Sequence, residues 1–276
     1  MSGILYVVGT PIGNLGDISP RALETLEKCD FIAAEDTRVS LKLLNHFGIK
    51  KPMISYFEHN RFERGPVIAE KILSGENGVI ITDAGMPAIS DPGEDLVKLC
   101  IEKGIKVEAV PGPCAFATAL AVSGMPSRRF TFEGFLPVEK SERKYIVNSL
   151  VNEERTMIFY EAPHKLAATL SDLAAALGDR EIAIVRELTK IHEQVIKTTL
   201  CAAAEKYSAE PLKGEIVLIV TGAQRKEAEE MTFEQAVAYE NELVAKGETK
   251  TSAAKTAAKE SGFKKGDIYK ILTEEE

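Results

Sequence analysis

Two periodicities alternate over the first ~120 residues, and this alternation constrains the fold more than any other feature of the chain. Short apolar, β-branched runs recur at Ile4–Val8, Phe31–Ala34, Met53–Tyr56, Val79–Thr82 and Val107–Val110. Between them Pro20–Lys28, Val39–Phe47 and Glu94–Lys103 carry helical spacing, as in Ala22, Leu23 and Leu26. Strand–helix alternation predicts the α/β class, with a parallel sheet, helices on both faces and right-handed connections. A turn-rich stretch at Ser123–Arg129 predicts a domain boundary. Beyond it further strands are expected at Thr131–Leu136, Thr156–Glu161, Glu181–Arg186, Val195–Thr199 and Ile216–Thr221, with helices at Arg143–Leu150, Lys165–Leu177 and Ala202–Tyr207. Too little chain separates Glu181–Arg186 from Val195–Thr199 for a long helix, so an antiparallel pair and a mixed sheet are expected. The expected organisation is a parallel-sheet α/β domain over 1–122, a second, mixed-sheet α/β domain over 129–222, and a small helical segment over 232–276.

A chain of 276 residues buries roughly 75% of its unfolded surface and needs no staple. Cys29, Cys100, Cys114 and Cys201 are scattered without metal spacing, and His46, His59, His164 and His192 are isolated, so no metal site is expected. No apolar run approaches the ~18 residues of a membrane span, and MSGILYVVGT lacks the basic region of a signal peptide. These features predict a cytoplasmic protein with no membrane partner. The net charge of −8 argues against a protein that coats nucleic acid non-specifically, but it allows a local basic face.

In open parallel sheets ligands bind beyond the carboxyl ends of the strands, which makes the following loops informative. They read GTPIG at 9–13, EDTR at 35–38, FEHN at 57–60, DAGMPAISDPG at 83–93 and PGPCA at 111–115. Glycine gives access to backbone conformations closed to other residues, and proline stiffens its neighbours. GTPIG is neither a Walker loop, which ends in Lys-Ser/Thr, nor a dinucleotide fingerprint, because proline replaces the second glycine. No Gly-x-Ser-x-Gly elbow is present. The expected ligand is therefore not mainly a phosphate.

VGTPIGNLGDIS at 8–19, AEDTR at 34–38, FEHN, DAGMPAISDPG, PGPCA and YEAPH at 160–164, in this order, closely resemble the ribosomal RNA small subunit methyltransferase I family. That family is a branch of the tetrapyrrole methylase-like S-adenosylmethionine-dependent enzymes, and the resemblance runs over residues 4–222. It implies two α/β domains with S-adenosyl-L-methionine in the cleft between them, usually in a homodimer. It also implies methylation of a cytidine ribose 2′-hydroxyl in small-subunit ribosomal RNA. Met86 stands where threonine is usual, Thr82 where serine often stands, and Cys114 where serine is usual; the Met86 and Cys114 changes lose hydroxyls. The resemblance places Asp83, Gly85, Met86, Ile89, Cys114 and Ala115 at the cofactor and Pro11 and Ile12 beneath its sulfonium. Phe159 and Tyr160 would close the pocket or pack in the core.

Methyl transfer to a hydroxyl gains much from positioning, up to ~7–11 kcal/mol, and from a proton acceptor. Candidate bases are Glu35, Asp36, Glu58 and His59, with Asp36 and His59 put forward as catalytic. Arg38 would keep Asp36 ionised, whether as base or as partner in a structural ion pair. Arg38, Asn60 and Arg61 are candidate RNA contacts. Residues 246–272 hold seven lysines against three acids, a local +4. Ala254, Ala258, Gly262 and Ile268 have helix–turn–helix spacing, so Lys255, Lys264 and Lys265 are further candidates for RNA contact. The expected partner is small-subunit ribosomal RNA or the assembled small subunit. Alternatives on the same sequence are a methylase of a tetrapyrrole or a modified protein side chain, and a non-enzymatic RNA-binding protein that retains the pocket.

Overall fold

The computed structural model describes residues 2–224 and 231–274. Strands β1 (Ile4–Val8), β2 (Phe31–Ala34), β3 (Met53–Ser55), β4 (Gly78–Ile81) and β5 (Lys106–Val110) form one sheet in the order β3-β2-β4-β1-β5. All neighbours are parallel. Every residue of β2 and β4 is buried, as strands covered on both faces must be. Helices α1 (Pro20–Lys28) and α2 (Thr37–His46) cover one face, packing Ala22, Leu26 and Leu44 against Ile32, Val79 and Ile81. Helices α3 (Arg61–Leu73) and α4 (Glu94–Glu102) cover the other, with Ile68, Ile72 and Leu96 against Leu5, Phe31 and Ile80. The chain steps outward from β1 through β2 to β3, then back through β4 to β5. Right-handed crossovers therefore put the two helix pairs on opposite faces, and strand order reverses between β1 and β4.

The second sheet contains β6 (Phe130–Phe135), β7 (Thr156–Glu161), β8 (Glu181–Arg186), β9 (Gln194–Thr199) and β10 (Ile216–Val220), in the order β6-β7-β10-β8-β9. β6 and β7 are parallel and the other pairs antiparallel, including the expected pairing of β8 with β9. Helix α5 (Ala115–Ser123) covers one face, its Ala119 and Leu120 meeting Ile158, Val185 and Ile219. Helices α6 (Lys140–Ser149), α7 (Leu166–Leu177) and α8 (Leu200–Ala209) cover the other around Phe159, Ile184 and Leu218. The two sheets, on either side of the boundary expected between residues 122 and 129, make up one compact unit, Met1–Ala223. Its cause is α5, which is apolar on nearly every side and packs on the second sheet although it follows the last strand of the first.

Residues Gln224–Glu276 form a separate unit. Its helices are α9 (Phe233–Ala245), α10 (Lys250–Ser261) and α11 (Lys265–Glu274), around Ala236, Ala257 and Ile268. Thr232 and Gln235 form a capping box at the start of α9. Gly262, left-handed at φ 76°, ends α10 and turns the chain toward α11, as the helix–turn–helix spacing anticipates. Among the described residues, no helix is long and apolar enough to cross a membrane.

At the point where strand order reverses, the loops after β1 and β5 touch backbone to backbone. A Cβ on Gly112 would lie 2.8 Å from Gly9 backbone atoms, and one on Gly9 would lie 2.7 Å from Gly112 Cα and from the Met86 sulfur. Only glycine fits at either place without displacing a loop. Gly112→Ala is therefore expected to lower the unfolding free energy by about 1–3 kcal/mol, the usual cost of overpacking, as read by urea denaturation. A fully stable alanine variant would contradict this contact.

Candidate active site

The loops after β1 and β4 are stitched together at the switch. Thr10 N–H donates to Gly85 O at 2.9 Å, and Gly85 N–H returns the bond to Thr10 O at 3.1 Å. The buried Thr10 hydroxyl adds a third bond, to Thr82 O at 3.1 Å. Gly85 takes φ +93°, a conformation that a side-chain-bearing residue reaches only under strain. The Gly85 requirement is conformational, since a Cβ there would meet Ile12 Cγ2 at an ordinary 3.4 Å.

Beside this knot lies a cavity of about 340 Å³, within the range of small-molecule sites. Ile12, Gly85, Met86, Ile89, Cys114 and Ala115 line it from the first sheet's loops. From the second sheet come Tyr160 and the 161–163 loop, Val185, Leu188 and the start of β10. The carboxyl ends of β6, β7 and β8 share one edge of that sheet, so both sheets present strand ends and loops to a single cleft. Ala88 and Ser90 take φ of 65° and 66°, and Glu187 and Thr189 take 51° and 67°. These strained pairs bracket Ile89 and Leu188, the two apolar residues that the loops turn into the cavity. The second pair is held by Glu187 Oε1, which accepts from Glu215 N–H at 2.9 Å and Lys190 Nζ at 3.0 Å.

Three placements correct the expectations. Phe159 is fully buried in the core under α7 and α8 and does not line the cavity. Alternation along a strand sends adjacent side chains to opposite faces, so its neighbour Tyr160 faces the cavity. The Tyr160 phenol accepts from Phe116 N–H at 3.1 Å and ties the second sheet to the start of α5. Burial pushes this phenol up to about 12. Asp83 lies outside the lining, where it accepts the Asp36 N–H at 3.2 Å and ties the loop after β2 to that after β4. Pro11 is buried and does not line the cavity. Cys114 caps α5 without a side-chain hydrogen bond, and the Tyr160 phenol takes the Phe116 amide of its first turn instead.

The charged residues lining the cavity are all acidic: Asp91, Glu215, which is paired with Lys190 at 3.1 Å, and Glu161, whose carboxylate turns away to the Thr169 hydroxyl of α7. Burial, then the nearby charge of Glu35, raises Asp91 to about 6. Glu35 accepts from the Thr82 hydroxyl at 2.6 Å, and burial also raises Asp83. This wall suits a cation and repels polyphosphate. Sequence reading passed over Asp91 because its DPG setting reads as turn chemistry.

The candidate catalytic and RNA residues are placed less uniformly. Asp36 caps α2 through Arg38 N–H at 2.8 Å and accepts from the Arg38 guanidinium at 3.0 and 2.6 Å. Those bonds to Arg38 bring Asp36 down to about 2. The Arg38 side chain is nevertheless 87% exposed. His59 is exposed, with its ring 6.2 Å from that of Phe57; neither Asp36 nor His59 lines the cavity. Asn60 accepts from Phe57 N–H at 2.8 Å and donates to Ser55 O at 3.1 Å, which clasps its own loop. Arg61 is engaged by Glu58 at 3.0 Å and Asp95 at 2.9 Å. Both side chains hold local structure in this chain. Lys255, Lys264 and Lys265 are exposed on the separate C-terminal unit.

Residues 4–204 match the family of Tetrapyrrole (Corrin/Porphyrin) Methylases. The solved uroporphyrin-III C-methyltransferase of Thermus thermophilus superposes with TM-score 0.58 at 17% identity, covering 79% of this chain and 94% of that one. Diphthine synthase superposes with TM-score 0.60 at 15% identity, covering 80% and 90%. The fold and its cleft define a tetrapyrrole methylase-type protein. Within that class, ribosomal RNA small subunit methyltransferase I of Synechocystis sp. is 45% identical over 273 residues, 99% of this chain and 98% of that relative. The Haemophilus influenzae protein of the same name is 45% identical over 98% of this chain and 96% of its own. The Thermotoga maritima one is 45% identical over 222 residues, all of that relative but 80% of this chain. The chain belongs to the ribosomal RNA small subunit methyltransferase I family of S-adenosylmethionine-dependent enzymes.

Phe159→Ala is expected to cost about 3–5 kcal/mol of stability through an unfilled core cavity. Tyr160→Phe should cost about 1–3 kcal/mol by leaving the Phe116 amide without its acceptor. Urea unfolding of both variants checks the assignment of the two faces, and a silent Phe159→Ala would overturn it.

Proposed function

We propose that the cavity holds S-adenosyl-L-methionine and that this chain, a cytoplasmic homodimer, methylates the 2′-hydroxyl of a cytidine in small-subunit ribosomal RNA. The observation that carries this reading is a mostly apolar cavity lined by acidic and no basic residues, with Asp91 among them, in a chain of this family. That wall fits a ligand with an apolar body and positive charge. When bound, S-adenosylmethionine supplies an electrophilic methyl group on a cationic sulfur. Ile12, Met86, Ile89 and Leu188 would hold its body, and the backbone of Gly85, Cys114 and Ala115 would supply polar contacts.

The remaining work is to orient the ribose hydroxyl in line with that bond and to remove its proton. Asp91 is the carboxylate best suited to take that proton, because it lines the cavity and its value of about 6 leaves it mainly ionised yet basic at neutral pH. Asp36 instead fixes Arg38 and the 35–38 loop, leaving the exposed face of Arg38 for RNA. His59 remains a second proton acceptor at the loop after β3, and Lys255, Lys264 and Lys265 would add phosphate contacts from the C-terminal unit.

Small ribosomal subunits from a strain lacking this gene should accept tritiated methyl from S-adenosylmethionine, and mapping should find one new 2′-O-methylcytidine. No transfer to subunits, with transfer to a tetrapyrrole instead, would overturn the reading.

A pH series tests Asp91. Its raised folded value means that the folded chain keeps a proton released by the unfolded chain between about pH 4 and 6, so stability from this group falls as pH rises through that window. Affinity for the cationic cofactor should rise over the same range, because ionisation completes the wall. Calorimetry from pH 5 to 8 should show this rise in the parent and a flatter profile in Asp91→Asn.

A further inference from the structure

We propose that a second groove, between α6 and α7, binds the phosphodiester backbone of the single-stranded RNA segment flanking the methylated nucleotide. The inference rests on the proposed RNA methylation and adds the surface that grips the strand. The groove has a volume of about 680 Å³, with an apolar floor that includes Val147 and Ala176. Lys140, Arg143, Lys144 and Lys165 line it against a single acid, Asp172. A net lining charge of +3 on a chain of net charge −8 is a pronounced local inversion. Among the described residues, Lys140, Lys144 and Lys165 make no ion pair, unlike Arg143, which holds Asp172 at 2.6 Å. Three uncommitted ammonium groups along one groove suit successive phosphates, which need point charges rather than shaped forks.

The groove lies close to the methyl-transfer cleft along two chain segments. Phe135 and Pro163 line the cavity, whereas Pro137 and Lys165, two residues further along each segment, line the groove. Two Cα steps span at most about 7.6 Å, so the basic groove starts at the cavity lip. On the groove's own side of the sheet, the Arg143 guanidinium donates to the Thr169 hydroxyl at 2.8 Å, and that hydroxyl donates to the buried carboxylate of Glu161, the last residue of β7, whose neighbour Tyr160 faces the cavity. Phe135, 56% exposed at the shared lip with its ring 5.5 Å from that of Tyr160, offers a face on which an unstacked base can lie. The Thermotoga maritima relative lacks a counterpart to a fifth of this chain, a length that the unit Met1–Ala223 alone would supply. That comparison supports an RNA-gripping surface on the α/β unit itself.

The test compares four full-length proteins: the parent, K140Q/K144Q/K165Q, the charge-keeping K140R/K144R/K165R, and a charge-matched remote control, K50Q/K98Q/K103Q. Tritiated methyl transfer to unmodified small ribosomal subunits is followed against subunit concentration and salt, with S-adenosylmethionine affinity measured by calorimetry. The glutamine triple should raise KM for subunits at least tenfold, keep cofactor affinity within twofold, and make the salt slope of log kcat/KM shallower by about 2, at ~0.7 per lost single-strand phosphate contact. The arginine triple should approach the parent, and the remote control should match it. The proposal is overturned if the glutamine triple keeps the parent's KM and slope, or if the remote control shifts equally, which would signal bulk charge alone. It is also overturned if the glutamine triple dissociates a dimer in sedimentation, because the groove would then seat a second copy. A parent that transfers no methyl to subunits removes the functional reading, and the groove proposal with it; an active parent with an indifferent glutamine triple removes the groove alone.

Discussion

The structure depends on three loops converging without side chains between them. Gly9 and Gly112 touch through backbone, while Thr10 and Gly85 exchange hydrogen bonds in both directions. This fixes the carboxyl ends of β1, β4 and β5 against one another at the one place where strand order reverses. A parallel sheet always leaves a crevice there, but a crevice between mobile loops binds poorly. Here proline, glycine and backbone pairing remove the loop freedom before any ligand arrives. The strained residues Ala88, Ser90, Glu187 and Thr189 belong to the same design, since each neighbours an apolar side chain that must point inward. Strain of this kind persists only when the surroundings over-determine it, and the Glu187 carboxylate with its two donors is such a surrounding.

The strands were legible in the sequence because buried parallel strands are short β-branched runs, and no other element imitates them closely. Helices α3 and α5 were not singled out, for opposite reasons. Gly65 and Pro66 interrupt α3 with residues that usually end helices, and it survives because Ile68, Ala69 and Ile72 bury against the sheet. Helix α5 is so uniformly apolar that no face stands out, and the same uniformity let it pass from the first sheet to the second.

The site was legible at the level of loops and less so at the level of single side chains. Ile12, Met86, Ile89, Cys114 and Ala115 fall on the cavity because their loops must. Asn60 and Arg61 look like free polar groups in sequence, yet both are consumed by local hydrogen bonds and ion pairs. Phe159 and Tyr160 are adjacent aromatics, and choosing between them requires the strand's register against α5. Asp91 was hidden for a related reason: its role comes from burial and from Glu35, a residue on a different strand end, and no local pattern reports either.

Charge is partitioned over a short distance. The cavity carries Asp91 and no basic side chain, and the neighbouring groove is basic, with only the segments 135–138 and 161–165 between them. At physiological salt the Debye length is about 8 Å, so an exposed phosphate on the groove is attracted by the lysines it touches and is largely screened from the distant acids that make the chain −8 overall. The half-buried Asp91 acts in the reverse sense, because partial burial weakens screening and its field is felt more strongly inside the cavity. A cationic small ligand and a polyanionic strand can therefore be held side by side. On the groove side, the Arg143–Thr169–Glu161 chain satisfies a buried carboxylate: the guanidinium reaches it through a shared hydroxyl, so the buried charge is not left unpaired beneath the groove.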